Sequence, residues 1–257
     1  MRHWLIFLVS LGMTALATPT AASDASAARI PILVELFTSE GCSDCPPADA
    51  FLQELDQQPV PGAEMIVLSE HVDYWNHGGW RDPYSSAFFS QRQQVYGSDF
   101  ALPSVYTPEM VVDGSNQFVG SNQSAASKAF AKALAVKKID IRLTATATGP
   151  DEVLRSHVET AVLPKGQKAD VYAAIALNHA ESHVSGGENT GRHISHTAVV
   201  RNIVKIGSLR ENQSFTRDIQ LKFPANTDPS NARLVVFIQE PHQGKVLGAT
   251  MEPLPTR

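Results

Sequence analysis

The chain contains only two cysteines, Cys42 and Cys45, and two residues separate them. The apolar run Ile30–Phe37 before them predicts a buried strand, and Pro46-Pro47 after them predicts the first turn of a helix. Cys42 is therefore expected at a helix N-terminus, where the helix dipole and free backbone N–H groups favour a thiolate. With Cys45 within reach, the pair has the chemistry of a thiol–disulfide exchange site.

Two other roles of the pair remain open. A zinc site usually needs four ligands, and the sequence has no second C-x-x-C. A structural disulfide would close a very small loop, so it would remove little entropy from the unfolded chain and stabilise the fold weakly. Redox chemistry is therefore favoured for the sequence Cys-Ser-Asp-Cys, ahead of metal binding and of a structural bridge.

The composition is that of a globular protein with one large or two ordinary domains: 257 residues, of which 43% are hydrophobic and 18% charged. Residues 1–22 differ, with a basic start, an apolar stretch from Leu5 to Ala17 and small residues after it. They predict a secretory signal peptide, and a short uncleaved anchor is the alternative. The mature protein is expected to be periplasmic or secreted, where disulfides persist, and no later segment predicts stable membrane insertion.

The sequence around the cysteines is acidic. The net charge is −5, and no Lys or Arg occurs between Arg29 and Arg81, whereas nine Asp or Glu residues do. This window lacks the basic footprint of a nucleic-acid-binding protein, so no nucleic-acid partner is expected. Asp44 lies inside the cysteine motif and opposes the effect of the helix dipole on Cys42. We therefore expect a reductase or an isomerase rather than a strong oxidant.

A polar and aromatic loop, residues 69–83, follows the second predicted strand, Met65–Leu68. The two strands and the helix between them form a βαβ unit, so the strands are expected to be parallel. Loops after the carboxyl ends of such strands build sites in α/β sheets. Four side chains of the loop are placed to face the cysteines: His71, Asp73, Trp75 and Trp80. In the alternative interpretation the aromatic residues pack as a lid and His71 only caps backbone groups.

Three further elements are predicted before residue 137. Residues 84–96 have the pattern of a helix, and Pro108 can begin a strand without breaking its hydrogen-bond ladder. Asp113-Gly114 is a hairpin turn signal before a second short strand. Ser121 or Asn122 then caps a helix that carries apolar residues at helical spacing.

The order strand, cysteine helix, strand, helix, Pro-led strand, strand and helix resembles the thioredoxin fold over residues 30–136. A closer resemblance is to the exported bacterial family called domain of unknown function 1223, which has a thioredoxin-like fold and no established substrate. It rests on Glu-Leu-Phe-Thr-Ser-Glu-Gly-Cys at 35–42, His-Val-Asp-Tyr-Trp at 71–75, Tyr-Thr-Pro at 106–108 and Val-Val-Asp-Gly at 111–114.

The resemblance to thioredoxins implies roles for five residues. Cys42 would be the attacking thiol and Cys45 the resolving thiol, with Pro108 as a cis-proline beside them. Thr107 would offer backbone hydrogen bonds to a substrate. Glu35 is the candidate for the buried carboxylate that relays protons to the resolving cysteine, although it stands one residue further from Cys42 than in thioredoxins. The alternative for Glu35 is a carboxylate bonded to nearby backbone.

From Lys137 onward the pattern changes to alternating strands with turn signals between them, such as Gly149-Pro150. Seven strands are predicted, at residues 139–147, 153–162, 171–177, 197–206, 215–223, 232–239 and 246–251. They indicate a β-sandwich. The predicted architecture is therefore a signal peptide at 1–22, an α/β thioredoxin-like domain at 29–136 and an all-β sandwich-like domain at 137–257.

Five of the nine histidines lie between residues 157 and 196 of the second half. They are His157, His179, His183, His193 and His196, and four of them lie in or beside the glycine-rich loop 185–196. Imidazoles in an exported protein indicate a copper or zinc site. The alternatives are scattered histidines around a locally bonded loop, or a loop that docks against the first half and covers Cys42.

The sequence thus predicts an exported thiol–disulfide oxidoreductase of the reductase or isomerase type. Cys42 attacks a disulfide of a protein substrate and Cys45 releases the product, so an electron-donating redox partner is required and no cofactor is. The alternative is a metal-binding, chaperone-like protein that holds copper or another ion with Cys42, Cys45 and His71. A recognition module whose disulfide is never turned over is a third interpretation.

Overall fold

The computed structural model describes Met1 and residues 29–146, 153–225 and 227–254. The predicted signal peptide, apart from Met1, lies outside these residues, as does the turn expected at Gly149-Pro150. Within the described part of the chain, no helix has both the length and the apolar sequence needed to cross a bilayer.

The first half places one strand at its centre. Its elements are β1 (Ile30–Thr38), α1 (Pro46–Gln57), β2 (Ala63–His71), α2 (Ala87–Asp99), β3 (Glu109–Val112), β4 (Asn116–Val119) and α3 (Gln123–Leu134). Strand β1 pairs in parallel with β2 and antiparallel with β3. Its residues from Ile32 to Thr38 are all buried because both faces are covered. Val34 and Leu36 pack with α1 and α3, whereas Leu33 packs on the opposite face with Phe237.

Local signals explain where these elements begin and end. The side chain of Ser86 accepts a hydrogen bond from the N–H of Phe88 and so caps α2. The side chain of Asn122 caps α3 in the same way. Asp113 adopts a positive φ of 50° in the turn between β3 and β4, as the hairpin signal predicted.

The second half adds seven strands. They are β5 (Ile141–Thr146), β6 (Val153–Thr160), β7 (Lys168–His183), β8 (His193–Arg210), β9 (Thr216–Lys222), β10 (Ala232–Gln239) and β11 (Val246–Pro253). Two single-turn 3-10 helices lie at Pro229–Asn231 and Pro241–Gln243. All seven strands lie where alternation predicted strands, but β7 and β8 are longer than expected.

The expected thioredoxin-like domain followed by a separate all-β sandwich-like domain is wrong. Strands β7, β8, β10 and β11 extend the first sheet, whose order is β11-β10-β7-β8-β2-β1-β3-β4. The junction is a parallel contact of β2 with β8 at Ser69 and Val199. Only β5, β6 and β9 form a second sheet among the described residues. The protein is instead an α/β fold built on one large mixed sheet. Alternation predicts strands, but it carries no information on which distant strand each one pairs with.

Buried or partly buried polar pairs also join the two halves. Asp56 of α1 accepts hydrogen bonds of 2.6 and 3.0 Å from the guanidinium of Arg233 on β10. Arg92 of α2 donates a hydrogen bond of 3.2 Å to the side-chain oxygen of Gln239, also on β10. A buried charge that loses its partner is strongly destabilising, so these pairs hold the helices to the extended sheet.

Candidate functional site

Cys42 and Cys45 form a disulfide, with 5.5 Å between their Cα atoms. Helix α1 begins at Pro46, and Cys45 occupies its N-cap position. Cys42 therefore lies in the turn before the helix and not at its N-terminus, because the two prolines take the first helical positions. The backbone N–H of Cys42 donates to the carbonyl oxygen of Ser39 at 3.2 Å. The N–H of Cys42 is therefore bonded within the turn that precedes α1.

The segment around Pro108 borders the first cysteine. The Thr107–Pro108 peptide bond is cis, and the carbonyl oxygen of Thr107 lies 3.8 Å from Sγ of Cys42. The Thr107 hydroxyl accepts a hydrogen bond of 2.7 Å from Nε1 of Trp75. Cys42 is only 2% exposed and Cys45 is 0% exposed. The structure thus brings both cysteines, Thr107, Pro108 and Trp75 together in a nearly enclosed site.

Two glycines allow this close packing. A Cβ at Gly41 would lie 3.0 Å from Cβ of Trp75, and a Cβ at Gly120 would lie 3.2 Å from Cβ of Pro108. Both separations are shorter than ordinary carbon contacts, so a larger residue would displace its neighbour. The N–H of Gly120 also donates to the carbonyl oxygen of Pro108 at 2.9 Å.

The β7–β8 loop, residues 184–192, docks on the cysteine motif. The side-chain amide of Asn189 donates to the carbonyl oxygens of Glu40 and Cys42, at 2.9 Å each. Oε2 of Glu188 accepts a hydrogen bond of 3.0 Å from the N–H of Ser43. Hydrogen bonds from the Ser43 side chain and from this N–H lower the pKa of the Glu188 carboxyl. Of the alternatives that the sequence left open for this loop, the structure therefore shows the one in which it docks against the first half at Cys42.

Backbone packing holds the same loop against residues 69–83. A Cβ at Gly186 would overlap the carbonyl oxygen of Gly79, so only glycine fits at this approach. The glycine-rich composition of both loops was the one sequence signal for this contact. It gave no indication that Glu188 and Asn189, which sequence reasoning missed as site residues, are the side chains that reach the motif.

A cluster of buried ionisable side chains lies behind the motif. His196 of β8 places Nε2 3.2 Å from Oε1 of Glu40 and Nδ1 3.7 Å from Oδ1 of Asp49. Nε1 of Trp80 donates to Oε2 of Glu40 at 2.7 Å. Burial alone lowers the pKa of His196, but its contacts with Asp49 and Glu40 outweigh burial and raise the pKa to about 10. His196 is therefore a cation between two carboxylates that flank the motif in sequence.

His71 belongs to this buried cluster. Its Nδ1 lies 2.7 Å from Oδ2 of Asp82, and its ring packs edge-on against His196 with 4.7 Å between the centroids. Burial raises the pKa of Asp82, but the contact with His71 outweighs burial and holds the pKa below its usual value. Asp82 also accepts a hydrogen bond of 2.9 Å from the backbone N–H of Glu40. The cluster therefore reaches the main chain just before Cys42.

The remaining loop side chain expected at the cysteines lies elsewhere. Oδ1 of Asp73 accepts a hydrogen bond of 2.5 Å from Ser90 on α2. Of the four loop residues, Trp75 borders Cys42 through Thr107, and Trp80 and His71 join the buried cluster. These aromatic residues do not form a separate lid, because each is tied to the site by a specific hydrogen bond.

The residues that the sequence offered as metal ligands do not form a metal site in the described part of the chain. In the ranges that the structure describes, no three or more His, Cys, Asp or Glu side chains are arranged to hold a metal ion. His179 and His193 instead bond to the exposed carboxylate of Glu181 at 3.0 and 3.2 Å. His157 lies 2.6 Å from Asp218 on the small sheet. Of the five histidines between residues 157 and 196, all within the described ranges, His196 alone contacts the residues that flank the cysteine motif.

Glu35 lies on the face of the sheet opposite α1. Its Oε1 accepts a hydrogen bond of 2.7 Å from Nε of Arg92, and its Oε2 accepts one of 2.6 Å from the Tyr96 hydroxyl. Glu70 lies 3.6 Å from the same guanidinium. Burial raises the pKa of Glu70 well above its usual range, and the nearby charge of Glu35 raises it further. The structure therefore does not bring Glu35 to the cysteines.

Two solved structures share this fold. Protein AGR_C_4864 from Agrobacterium tumefaciens is 23% identical, with a TM-score of 0.69 over 88% of this chain and 95% of its own. HBP35 of Porphyromonas gingivalis is 15% identical, with a TM-score of 0.68 over 88% of this chain and 76% of its own. At these identities the likeness concerns the fold alone.

Comparison with protein families gives a direct match. No curated protein matches the chain. The family described as Protein of unknown function (DUF1223) matches residues 33–239, which include the cysteine motif, the Pro108 segment and the β7–β8 loop. Because this match spans most of the sequence, the resemblance inferred from the motifs is confirmed, and the chain belongs to the DUF1223 family.

Proposed function

We propose that the protein is a thiol–disulfide oxidoreductase whose reacting atoms are the Sγ atoms of Cys42 and Cys45. The observation that carries this proposal is their disulfide, which closes only the turn before α1 and joins no distant segments. So small a loop restricts the unfolded chain little, so the bond contributes little to stability. A disulfide of this kind, enclosed by specific polar contacts, is better explained by chemistry than by structure.

The surroundings of the two sulfurs favour Cys42 as the attacking thiol. Cys45 is the N-cap of α1 and is fully buried, whereas Cys42 precedes the helix and lies beside Thr107. The Thr107 carbonyl is a backbone acceptor 3.8 Å from Sγ of Cys42. It can accept a hydrogen bond from the main chain of an extended substrate segment and so align a substrate disulfide with Cys42.

Exchange proceeds in two balanced steps. The Cys42 thiolate attacks one sulfur of a substrate disulfide, so that a mixed disulfide forms and the other substrate sulfur leaves as a thiolate. The Cys45 thiolate then attacks Sγ of Cys42, which re-forms the Cys42–Cys45 disulfide and releases the second substrate thiolate. The protein loses two electrons and the substrate gains them, and the two cysteine protons neutralise the released thiolates. A dithiol redox partner returns two electrons and two protons.

The local charges favour the reducing direction. Glu40 and Asp49 share one imidazolium, that of His196, and the carboxylate of Glu188 lies beside the motif. Negative charge near Cys42 disfavours its thiolate and therefore the reduced protein. A dithiol that is poorly stabilised in its reduced form gives electrons away readily. We therefore propose reductase or isomerase activity.

The proposed compartment is the periplasm or the exterior of the cell. The sequence of residues 1–22 has the features of a secretory signal peptide. Protein disulfides form and persist in those compartments, so substrates for such a reductase are present there.

Reduction of insulin by dithiothreitol, followed by the turbidity of the released chains, tests this function. The wild-type protein is expected to accelerate the reaction, and Cys42→Ser is expected to abolish the acceleration. Ser127→Ala is the control, because the Ser127 side chain is exposed on α3 and bonds to the carbonyl oxygen of Gln123 within that helix. Equal rates with wild-type protein and Cys42→Ser would contradict the proposal.

A further inference from the structure

The β7–β8 loop is hydrogen-bonded to the main chain of the cysteine motif. Its three hydrogen bonds end on the carbonyl oxygens of Glu40 and Cys42 and on the N–H of Ser43. Asn189, which makes two of them, is completely buried. These bonds therefore depend on the backbone conformation of the motif, and that conformation includes the turn closed by the disulfide.

Backbone hydrogen bonds within the β7–β8 loop fix its own conformation. The N–H of Gly191 donates to the carbonyl oxygen of Val184 at 2.8 Å, and the N–H of Arg192 donates to that of Asn189 at 3.0 Å. Gly186 packs against Gly79 on the other side. Asn189 is thus presented to the motif by a preformed loop, which lowers the entropy cost of docking.

We propose that Glu188 and Asn189 are positioning residues of the redox site, and that docking of the β7–β8 loop is coupled to the oxidation state of the Cys42–Cys45 pair. In the disulfide form the loop binds both ends of the Cys42–Ser43 peptide group: Asn189 donates to its carbonyl oxygen and Glu188 accepts from its N–H. Reduction adds two electrons and two protons and breaks the S–S bond, so the two sulfurs separate. When the Cys42 thiol ionises, its negative charge lies one residue from the amide that Glu188 holds. Repulsion between thiolate and carboxylate then weakens docking.

This coupling acts in both directions. If the disulfide favours the docked loop, the docked loop favours the disulfide by the same factor. The loop therefore makes the dithiol a stronger reductant. It also loosens in the thiolate form, which is the form that must open the 2% exposed Cys42 to a substrate. The inference deepens the proposed function, since it names the residues that regulate the same site.

The redox equilibrium with glutathione tests the role of Glu188. Glu188→Gln keeps an oxygen acceptor for the N–H of Ser43 but removes the charge, so it should raise the equilibrium constant for reduction of the disulfide about threefold. The shift should grow from pH 7 to pH 9 as thiolate forms and shrink at 1 M salt. Asn189→Ala should shift the constant in the same direction at both salt concentrations. Glu181→Gln is the control, because this exposed carboxylate of the same hairpin bonds to His179 and His193.

Amide hydrogen exchange tests the coupling itself. Residues 184–192 should exchange faster in the reduced protein than in the oxidised protein, and Glu188→Gln should narrow this difference. A double variant with Cys42→Ser and Cys45→Ser should show no response to reductant. Equal exchange in both oxidation states, or equal redox shifts for Glu188→Gln and Glu181→Gln, would overturn the inference.

These measurements use no substrate, so they separate the two proposals. If insulin is not reduced but amide hydrogen exchange of residues 184–192 follows the oxidation state, the proposed function fails and the coupling between loop docking and oxidation state stands. If insulin is reduced and loop exchange does not change, the coupling fails alone.

Discussion

The side-chain amide of Asn189 donates a hydrogen bond of 2.9 Å to the carbonyl oxygen of Cys42, across 147 positions of sequence. The cysteine motif and the loop that holds it therefore come from opposite halves of the chain. The contact of β2 with β8 at Ser69 and Val199 joins those halves in one sheet. A change in the second half can thus alter the redox site without touching a cysteine.

Loss of the disulfide should have a small effect on stability. For a loop of this size the chain-entropy relation gives a stabilisation of about 2 kcal/mol. The Cys42→Ser and Cys45→Ser double variant should therefore lose about 2 kcal/mol or less of unfolding free energy in urea denaturation. A loss above about 4 kcal/mol would identify the bond as a structural staple instead.

Removal of the Arg92 charge should be strongly destabilising. Arg92→Met leaves the carboxylate of Glu35 buried without its cation, which should cost about 3 to 5 kcal/mol of unfolding free energy. Arg142→Met is the matched control, because the Arg142 side chain is 82% exposed and pairs with Glu159 at 3.5 Å. The control should lie within about 0.5 kcal/mol of the wild-type protein in urea denaturation. Equal losses in the two variants would contradict the burial argument.

Stability should fall at alkaline pH because of His196. Its pKa is raised to about 10 in the folded protein, against about 6.5 in the unfolded chain. The stabilisation is fully present below pH 6.5 and is lost as the pH rises toward 10, because the folded state binds a proton that the unfolded state does not. Between pH 7.5 and 9.5 the unfolding free energy should fall by about 2 kcal/mol.

His196→Gln isolates this contribution. The variant has no imidazole to titrate, so its unfolding free energy should be lower at pH 7.5 and should change less up to pH 9.5. Identical pH profiles for the variant and the wild-type protein would show that His196 is not the group responsible.

Packing at Pro108 should depend on Gly120. A Cβ at this position would lie 2.8 Å from Cδ1 of Leu36, 3.0 Å from Cβ of Ala48 and 3.2 Å from Cβ of Pro108. Gly120→Ala should therefore lower the unfolding free energy by about 1 to 3 kcal/mol. Because it displaces Pro108, it should also slow thiol–disulfide exchange at Cys42, measured as the rate of insulin reduction. Gly78→Ala is the control, because its Cβ would meet only a carbonyl oxygen at 3.8 Å. An unchanged unfolding free energy and an unchanged rate of insulin reduction in Gly120→Ala would show that neither stability nor activity depends on this packing.

Local sequence signals predicted the elements well and their assembly poorly. The strand predicted at residues 232–239 is observed as β10 with the same bounds, and the hairpin turn at Asp113-Gly114 is confirmed. Alternation and turn chemistry act over a few residues, so they suffice for both. The contact between Ser69 and Val199 is a relation of distant residues, and no local pattern encodes it.

The same limit applies to the site. Cys42, Cys45, Thr107 and Pro108 lie together as the motifs indicated, because each follows or begins a strand at one end of the sheet. Glu35 was placed wrongly near the cysteines, since side chains alternate along a strand and Glu35 points to the face of Arg92. His196 and Asn189 reach the motif through the β7–β8 hairpin, and no local pattern identifies these two side chains among those of a docking loop.

Trapping of a mixed disulfide tests the attack by Cys42 most directly. The Cys45→Ala variant, incubated with an oxidised protein substrate, should form a stoichiometric, dithiothreitol-sensitive adduct through Cys42, identified by mass spectrometry of the joined peptides. The Cys42→Ala variant, which retains only the buried Cys45 sulfur, should form little adduct. Equal adduct on both variants, or none on Cys45→Ala after full reduction, would contradict thiol–disulfide exchange led by Cys42.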